Sequence, residues 1–241
     1  MIAIIGGTGL TALEGLALTE SVEVNTPYGR PSAAIEKGEL NQSLVYFLAR
    51  HGKQHSLTPH SVNYRANIWA LQSLGVTHVI GVNAVGGIHS NMGPEVIVIP
   101  DQIIDYTWGR ESSFSSEGNV IHADFTYPYS MSFRQTLITA AKKAGVAVIE
   151  GGVYGATQGP RLETTAEINR LEKDGCDIVG MTAMPEAILA RELKLKYANI
   201  SLVVNMAAGR SEGLITMEDI QQVLDVGMVN IRKLLALAIV D

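Results

Sequence analysis

The first nine residues, Met1-Ile2-Ala3-Ile4-Ile5-Gly6-Gly7-Thr8-Gly9, set the pattern that the rest of the chain repeats. A short apolar run rich in isoleucine indicates a buried strand, and the glycines that follow allow a tight turn. No basic residue precedes this run, so it is not typical of a secretory signal peptide. We therefore predict the first strand of a covered sheet and a cytoplasmic, reducing location.

Similar apolar segments recur along the chain and alternate with segments of helical spacing, as in α/β proteins. The predicted strands are Ile2–Ile5, Ser43–Ala49, Thr77–Val82, Val96–Ile99, Val146–Gly151, Ile178–Met181 and Ala198–Val204. The predicted helices are Val62–Leu74, Ser132–Ala144 and three that begin near Thr164, Pro185 and Thr216. The polar, aromatic segment 107–128 is predicted to be a surface loop, and we predict a single domain over residues 1–241.

Composition excludes several classes of protein. Hydrophobic residues make up 46% and charged residues 17% of the 241 residues, so the chain can bury a sizeable core. A net charge of −6 argues against broad nucleic-acid binding, and no apolar run reaches the roughly 18 residues that cross a membrane. The single cysteine, Cys176, excludes an intrachain disulfide and a cysteine-based metal site. We expect no metal.

The glycine-rich turn is open to three interpretations. Residues 7–12 loosely match the G-x-G-x-x-A dinucleotide fingerprint, but Gly15 interrupts the helix that should follow. The second interpretation is an anion cradle, in which backbone N–H groups converge and the Thr8 hydroxyl adds a donor. The third is a tight turn without a ligand. A P-loop is excluded, because its G-x-x-x-x-G-K-[ST] pattern is absent from the sequence.

Four further motifs narrow these alternatives. They are Leu48–Gly52 followed by His55, Asn83–Gly87, Gly159–Thr164 and Met181–Glu186. Together with Gly6–Gly9, and in this order and spacing, they resemble the trimeric purine nucleoside phosphorylase and methylthioadenosine phosphorylase family over nearly the whole chain. The resemblance implies an α/β fold with a central mixed, partly barrel-like sheet flanked by helices, and a homotrimer. It also implies phosphorolysis, in which inorganic phosphate is a co-substrate and no organic cofactor is needed.

The resemblance implies a phosphate site and a sugar site. The phosphate ligands would be Thr8, Arg50, His51, the backbone N–H of Ala84, and Thr182. Arg50 offers a bidentate fork that matches phosphate, although a surface ion pair is the alternative, and His51 could equally be a packed core histidine. Met181 would lie against the ribose or else belong to the core. Asn83 and Leu162 are further predicted substrate contacts, with Asn63 and Tyr64 in support.

The expected base site departs from one branch of that family. Adenine-cleaving relatives carry an Asp-x-Asp pair after the last strand, where this chain has Asn205 and Ala207. Glu163 stands where relatives that cleave inosine and guanosine have a glutamate, which accepts a hydrogen bond from N1–H of a 6-oxopurine. Its alternative role is to complement a helix dipole. We predict Asn205 and Glu163 as the catalytic pair.

The 5′ end of the sugar is predicted to face apolar groups. Trimeric inosine phosphorylases place a histidine near the 5′-hydroxyl, and the matching residue here is Met217, with Ile220 nearby. A methionine suits a polarizable methylthio group better than a hydroxyl, unless Met217 is simply a core residue. His122 resembles a family segment that reaches into a neighbouring subunit, although it could also be an exposed loop histidine.

These features combine into one predicted reaction, phosphorolysis of S-methyl-5′-thioinosine to hypoxanthine and 5-methylthioribose 1-phosphate. Two related activities stay open, namely cleavage of methylthioadenosine and general cleavage of inosine and guanosine. A non-catalytic nucleoside-binding protein and a nicotinamide-dependent dehydrogenase are the alternatives from other classes. The expected partners are a nucleoside and phosphate, with neither nucleic acid nor membrane.

Overall fold

The computed structural model of the protein describes residues 1–7, 10 and 16–239, in which eleven strands form one sheet and five α-helices surround it. The strands are β1 (Ile2–Gly6), β2 (Ala17–Val22), β3 (Ile35–Leu40), β4 (Ser43–Ala49), β5 (His78–Gly87), β6 (Ile97–Ile99), β7 (Gln102–Asp105), β8 (Ile149–Glu150), β9 (Val153–Ala156), β10 (Ile178–Gly180) and β11 (Lys196–Met206). The helices are α1 (Tyr64–Ser73), α2 (Met131–Ala144), α3 (Thr165–Lys173), α4 (Glu186–Glu192) and α5 (Met217–Ala238). The predicted mixed α/β fold with flanking helices is confirmed.

The central strand β5 organises the sheet. On one edge it pairs along its whole length with β11, in parallel. On its other edge it pairs first with β1, in parallel up to Gly81, and then with β10, antiparallel from Gly86. Within a few residues, this edge of β5 therefore changes from a parallel partner, β1, to an antiparallel partner, β10.

This change of partner leaves a gap in the sheet. Among the strands that the structure describes, none pairs with Val82–Val85 on the β1 side of β5. Ala84 is the one exposed residue of β5, whose other residues are buried or half-buried. Open α/β sheets bind ligands where neighbouring strands diverge in this way. The topology therefore places a candidate site at the carboxyl ends of β1 and β4, beside the middle of β5.

Helix α5 packs against β11. Ile231, Leu234 and Leu235 form its buried stripe, in agreement with the apolar spacing of the sequence. A Cβ at Gly227 would collide with the side chain of Leu202, so the absence of a side chain lets the helix lie close to the sheet. This packing fixes β11, whose carboxyl end carries Asn205 toward the candidate site.

The predicted helix boundaries are largely confirmed. Thr164 and Glu167 form a reciprocal capping box at the start of α3, and the Thr216 side chain caps α5. Gly145 ends α2 in the left-handed conformation, with φ of +66°. Segment 107–128 lacks helices and strands and makes only one isolated bridge, so the predicted loop is also confirmed.

Several strands were not predicted. β2 is exposed along almost its entire length, and β3 carries two glutamates and a lysine, so neither has the apolar run of a buried strand. The short strands β7 and β9 were missed as well. The predicted strand Val146–Gly151 is wrong in extent, because only Ile149 and Glu150 pair with β6.

The dinucleotide interpretation of the glycine turn is wrong. That fold requires a helix after β1 and then a parallel strand beside it. Here only residues 7–16 separate β1 from β2, and β2 pairs antiparallel with β3. Thr8, Gly9, Thr11 and Ala12 of the fingerprint lie outside the described residues.

The described residues contain neither a candidate membrane span nor a candidate metal site. None of the helices described is long and apolar enough to cross a membrane. The described histidine, cysteine and carboxylate side chains form no group of three or more that could hold a metal ion. Cys176 is buried, and this burial raises the pKa of its thiol, so its side chain is a poor nucleophile.

Candidate active site

Arg50 follows β4 directly and lies at the gap in the sheet. Its Nε and Nη2 donate to the two carboxylate oxygens of Glu186, at 2.7 and 2.8 Å. Nη1 donates to the carbonyl oxygen of Val82 at 2.9 Å, and Nη2 donates to that of Ile5 at 3.1 Å. The guanidinium therefore joins the end of β1 and the middle of β5 to the start of α4. Because Arg50 is buried, the alternative of a surface ion pair is wrong.

The charge of Arg50 is secured by Glu186. Burial acts to lower the pKa of the guanidinium, but the charge and hydrogen bonds of Glu186 outweigh it and the pKa is raised. The bidentate fork that the sequence predicts for phosphate is thus occupied by a carboxylate. Four of the five N–H groups donate to protein atoms, which leaves one N–H of Nη1 for an anion.

A chain of buried polar groups continues from Glu186. The Tyr197 hydroxyl donates to Glu186 at 2.8 Å, and Asn199 donates through Nδ2 to Tyr197 and to Asn83 Oδ1. Asn83 in turn donates through Nδ2 to the hydroxyl oxygen of Thr182. Asn83 is buried and supports the Thr182 hydroxyl, while its direct contact with substrate stays a prediction.

The direction of these bonds fixes what Thr182 can offer. A hydroxyl has one donor and two acceptor positions. Because the Thr182 oxygen accepts from Asn83, its own proton remains available to a ligand. Thr182 follows β10, which pairs with β5 beside the gap in the sheet. A donor at this position suits an anion.

His51 is neutral and its tautomer is fixed. Its Nδ1 lies 2.8 Å from the carbonyl oxygen of Leu57, which can only accept, so Nδ1 carries the proton. Burial, reinforced by the charge of Arg50, lowers the pKa of His51 to about 4. At neutral pH the Nε2 atom is therefore a hydrogen-bond acceptor. The His51 ring also packs against His55, with 4.6 Å between ring centroids.

The remaining predicted phosphate ligands are Ala84 and Thr8. Ala84 is exposed in the gap of the sheet, on the strand that also carries Asn83. Thr8 lies outside the described residues. Gly6 ends β1 beside Arg50, because the Arg50 N–H donates to the Gly6 carbonyl at 3.1 Å. The structure thus gathers Arg50, Thr182 and Ala84 around the ends of β1, β10 and the middle of β5.

Glu163 is anchored beside the same gap. The Thr157 hydroxyl donates to Glu163 Oε1 at 2.6 Å, and the Thr157 N–H donates to the carbonyl oxygen of Gly180 at 2.8 Å. Glu163 therefore lies next to the end of β10, one residue before the capping box of α3. A Cβ at Gly159 would collide with Met181 Sδ, so this loop packs directly on the methionine predicted to face the ribose.

Asn205 and Ala207 stand at the carboxyl end of β11. The Asn205 Nδ2 donates to the carbonyl oxygen of Met206 at 2.8 Å, and the residue is half-buried beside Gly86. Ala207 is only 3% exposed and belongs to an apolar cluster with Ile168 and Val179. Ala207, at the position where the resemblance implies a second carboxylate in adenine-cleaving relatives, is thus surrounded by apolar side chains.

The predicted 5′ contacts, Met217, Ile220 and His122, lie on α5 and in the loop 107–128. Met217 is 74% exposed at the first turn of α5, so its alternative as a core residue is wrong. Ile220 is half-buried and packs on the core from the same helix. Leu162 is exposed beside Glu163, and His122 is exposed in the loop 107–128. Met217 and His122 are therefore open to solvent in the single chain.

Glu186, Tyr197 and Asn199 are structural members of the site that the sequence analysis missed. Glu186 belongs to a quoted motif but received no role, although a glutamate in an apolar segment before a helix is a usable signal. Tyr197 and Asn199 lie two residues apart in the buried strand β11, and polar side chains in a buried strand need hydrogen-bond partners. Nothing in the sequence indicates that Tyr197 would donate to Glu186 or that Asn199 would donate to Asn83.

Comparison with known proteins places this geometry in a family. A model of the phosphorylase superfamily matches residues 1–240. The chain belongs to the phosphorylase superfamily. Within this superfamily it is 56% identical over 236 residues to the probable S-methyl-5′-thioinosine phosphorylase of Pseudomonas syringae pv. tomato, covering 97% of this chain and 96% of that protein. It is 44% identical over 245 residues to the 6-oxopurine nucleoside phosphorylase of Pyrococcus furiosus, and the match covers 99% of this chain and 91% of that protein.

Solved structures of other phosphorylases share the fold. A methylthioadenosine phosphorylase from an antarctic soil metagenomic library superimposes with a TM-score of 0.94 at 40% identity, covering 98% of this chain and 84% of that one. The methylthioadenosine phosphorylase of Schistosoma mansoni in complex with adenine gives a TM-score of 0.93 at 32% identity, covering 99% and 90%. This phosphorylase therefore has relatives named for both 6-oxo and 6-amino purines.

Proposed function

We propose that this phosphorylase cleaves S-methyl-5′-thioinosine with phosphate to give hypoxanthine and 5-methylthioribose 1-phosphate. The observation that carries the proposal is the apolar burial of Ala207 two residues after Asn205. Because residue 207 is an alanine, the chain has no carboxylate there to accept a hydrogen bond from the 6-amino group of adenine. The Asn205 amide, in contrast, can donate to a 6-oxo group. Relatives more than 50% identical, named as probable S-methyl-5′-thioinosine phosphorylases, support this choice.

The phosphate subsite in this proposal combines donors with one acceptor. Thr182 supplies its hydroxyl proton, Arg50 its remaining N–H and charge, and Ala84 its backbone N–H. The neutral His51 accepts at Nε2, which suits the P–OH group of hydrogen phosphate. Thr8 completes the set as predicted from the sequence. Such preorganised groups hold a dianion in place for attack.

Chemistry at the base completes the reaction. A phosphate oxygen forms a bond to C1′ while the C1′–N9 bond breaks, and the electron pair of that bond leaves with the purine. The purine anion takes up a proton through solvent and the phosphate P–OH group loses one, which gives hypoxanthine and the sugar 1-phosphate. Glu163 accepts a hydrogen bond from N1–H, and Asn205 donates to the oxygen or ring nitrogen where negative charge develops. Met181 faces the ribose between these two groups. Leu162 and the supporting Asn83 complete the proposed sugar and base contacts.

The 5′ pocket requires a second copy of the chain in this proposal. Met217 and Leu214 are exposed at the start of α5, and Val120 and Tyr127 are exposed in the loop that carries His122. Exposed apolar side chains that form a contiguous patch commonly mark subunit contacts. We infer a homotrimer, active in the cytoplasm, in which His122 of one subunit closes the pocket of Met217 and Ile220 in another. Light scattering would test it, and a monomer would contradict this part.

The experiment that tests the proposed activity is base release from methylthioinosine with and without phosphate. We expect hypoxanthine and a sugar 1-phosphate only when phosphate is present. A protein that binds the nucleoside without releasing base would overturn the enzymatic assignment. Hydrolysis to free methylthioribose, at equal rates with and without phosphate, would overturn the phosphate site.

The role of Glu163 is tested in the same assay. Glu163→Gln retains the size of the side chain but replaces one acceptor oxygen with a donor amide, so kcat/KM for methylthioinosine should fall by about tenfold or more. Glu167→Gln is the matched control, since Glu167 lies one turn along α3 and binds Arg161 and the Thr164 N–H. An equal effect of both substitutions would show that only the helix terminus matters.

A further inference from the structure

Arg110 lies in the loop 107–128, between β7 and α2, and its guanidinium contacts the segment that carries Glu163. Its Nη2 donates to the carbonyl oxygens of Thr157 and Gln158, at 3.2 and 2.9 Å. Its Nε donates to the side-chain oxygen of Gln158 at 3.2 Å. Three hydrogen bonds thus join one edge of the guanidinium to the start of the base-side segment, residues 157–163.

The opposite side of the same guanidinium contacts the segment that carries Thr182. Arg110 Nη1 donates to the carbonyl oxygens of Met181 at 2.8 Å and Met184 at 2.6 Å, which lie on either side of Thr182. Nη1 also lies 3.4 Å from the Tyr64 hydroxyl, and the guanidinium stands 5.6 Å from the centroid of that ring. This phosphate-side segment, residues 181–184, is thereby joined to the base-side segment.

All of these acceptors are uncharged. Arg110 is half-buried and takes part in none of the ion pairs found within the described chain. A guanidinium withdrawn from water without a carboxylate partner has an unfavourable desolvation cost. The donors of the Arg110 guanidinium form a rigid plane, and this plane fixes the positions of the carbonyl groups on both sides.

We infer that Arg110 is a positioning residue that holds the base-side segment at a fixed distance from the phosphate-side segment. The inference rests on the proposed function, in which the nucleoside spans both segments and C1′ lies between the purine and the phosphate. Displacement of reacting groups by about 1 Å can lower a rate by about a hundredfold. Each subsite stays intact without Arg110, but their separation is no longer set.

The test compares two arginine substitutions. Arg110→Met removes the donors and keeps an unbranched side chain. Arg134→Met is the matched control, since Arg134 is also half-buried and donates to two carbonyl oxygens, those of Pro100 at 2.7 Å and Ile99 at 3.0 Å. For Arg110→Met we expect kcat to fall about tenfold or more, with each KM changed by less than about threefold. Arg134→Met should keep kcat within about twofold of wild type.

The inference would be overturned by an unchanged kcat in folded Arg110→Met, whether or not KM changes, or by an equal loss of kcat in both variants. Arg110→Lys provides the test if the methionine variant does not fold, because one ammonium keeps the charge but cannot bridge both segments. A lysine variant with wild-type kcat would also overturn it. Rates are compared with wild type on whichever nucleoside the wild type cleaves, so failure of the proposed substrate is distinguished from failure of this inference.

Discussion

The pair of Arg50 and Glu186 shows how single residues are constrained at this site. Taking both charges out of water costs several kcal/mol, which only close contact and additional hydrogen bonds can offset. Glu186 accepts from Arg50 twice and from Tyr197 once, and Arg50 donates to two carbonyl oxygens besides. Neither residue can therefore be changed without consequences for the fold.

Arg50→Ala should destabilise the protein as well as weaken phosphate binding. It leaves Glu186 buried without its counter-charge, which should lower the free energy of unfolding by about 3–5 kcal/mol. The double variant Arg50→Met with Glu186→Leu removes both charges and should regain most of this loss, while its KM for phosphate stays raised. Urea denaturation and phosphate titration measure the two effects. A double variant with the wild-type KM for phosphate would remove Arg50 from the anion site.

His51 should stay neutral through the physiological pH range in the ligand-free protein. Burial and Arg50 lower its pKa from the usual 6.5 to about 4, so the charged form is disfavoured in the folded state. The contribution to stability is therefore fully present above pH 6.5 and is lost as the pH falls toward 4. Titration of the His51 ring by NMR checks this value. A midpoint above pH 6 would contradict a pKa lowered by burial and by the charge of Arg50.

At the scale of elements, α3 connects helix capping to substrate recognition. The Thr164 hydroxyl accepts from the Glu167 N–H at 3.2 Å, and the Thr164 N–H donates to the Glu167 carboxylate at 2.7 Å. This capping box fixes the direction in which the chain enters the helix. Glu163 directly precedes it, so the start of α3 sets the position of the proposed base-binding carboxylate.

Thr164→Ala should lower both stability and substrate affinity. Loss of a capping hydroxyl costs about 1 kcal/mol of unfolding free energy. The loosened helix start should also raise the KM for a 6-oxopurine nucleoside several-fold. Ser130→Ala, which removes the cap of α2 at Phe133, serves as the control and should leave KM unchanged. A Thr164 variant that loses stability but retains KM would separate the cap from recognition.

The sequence could predict elements whose signals are local. The cap at Thr164, the left-handed Gly145 and the apolar strands β1, β4 and β11 all follow from spacing or residue type. It could not predict β2 and β3, since their pairing is decided by neighbouring strands and not by apolar character. Sequence motifs predict Arg50 and Thr182. The roles of Glu186 and Asn199 could not be predicted, because they depend on hydrogen bonds to residues that are distant in sequence.

For the whole molecule, the proposed function depends on the gap in one sheet and on surfaces at its margin. β5 brings the ends of β1 and β10 together, and the proposed phosphate and base groups lie around that gap. The proposed 5′ contacts instead lie on exposed surface, with Met217 at the start of α5. In the proposed function, base selection is thus a property of one chain, whereas selection at the 5′ position depends on the inferred trimer.

The most direct measurement of the central claim is the ratio of kcat/KM for methylthioinosine and methylthioadenosine at saturating phosphate. Our account predicts a ratio of at least about ten, or about 1.4 kcal/mol in favour of the 6-oxopurine. Inosine, measured in the same series, should be the poorer substrate because it lacks the methylthio group. Equal or reversed rates for methylthioadenosine would contradict the assignment of Glu163, Asn205 and Ala207 to a 6-oxopurine site.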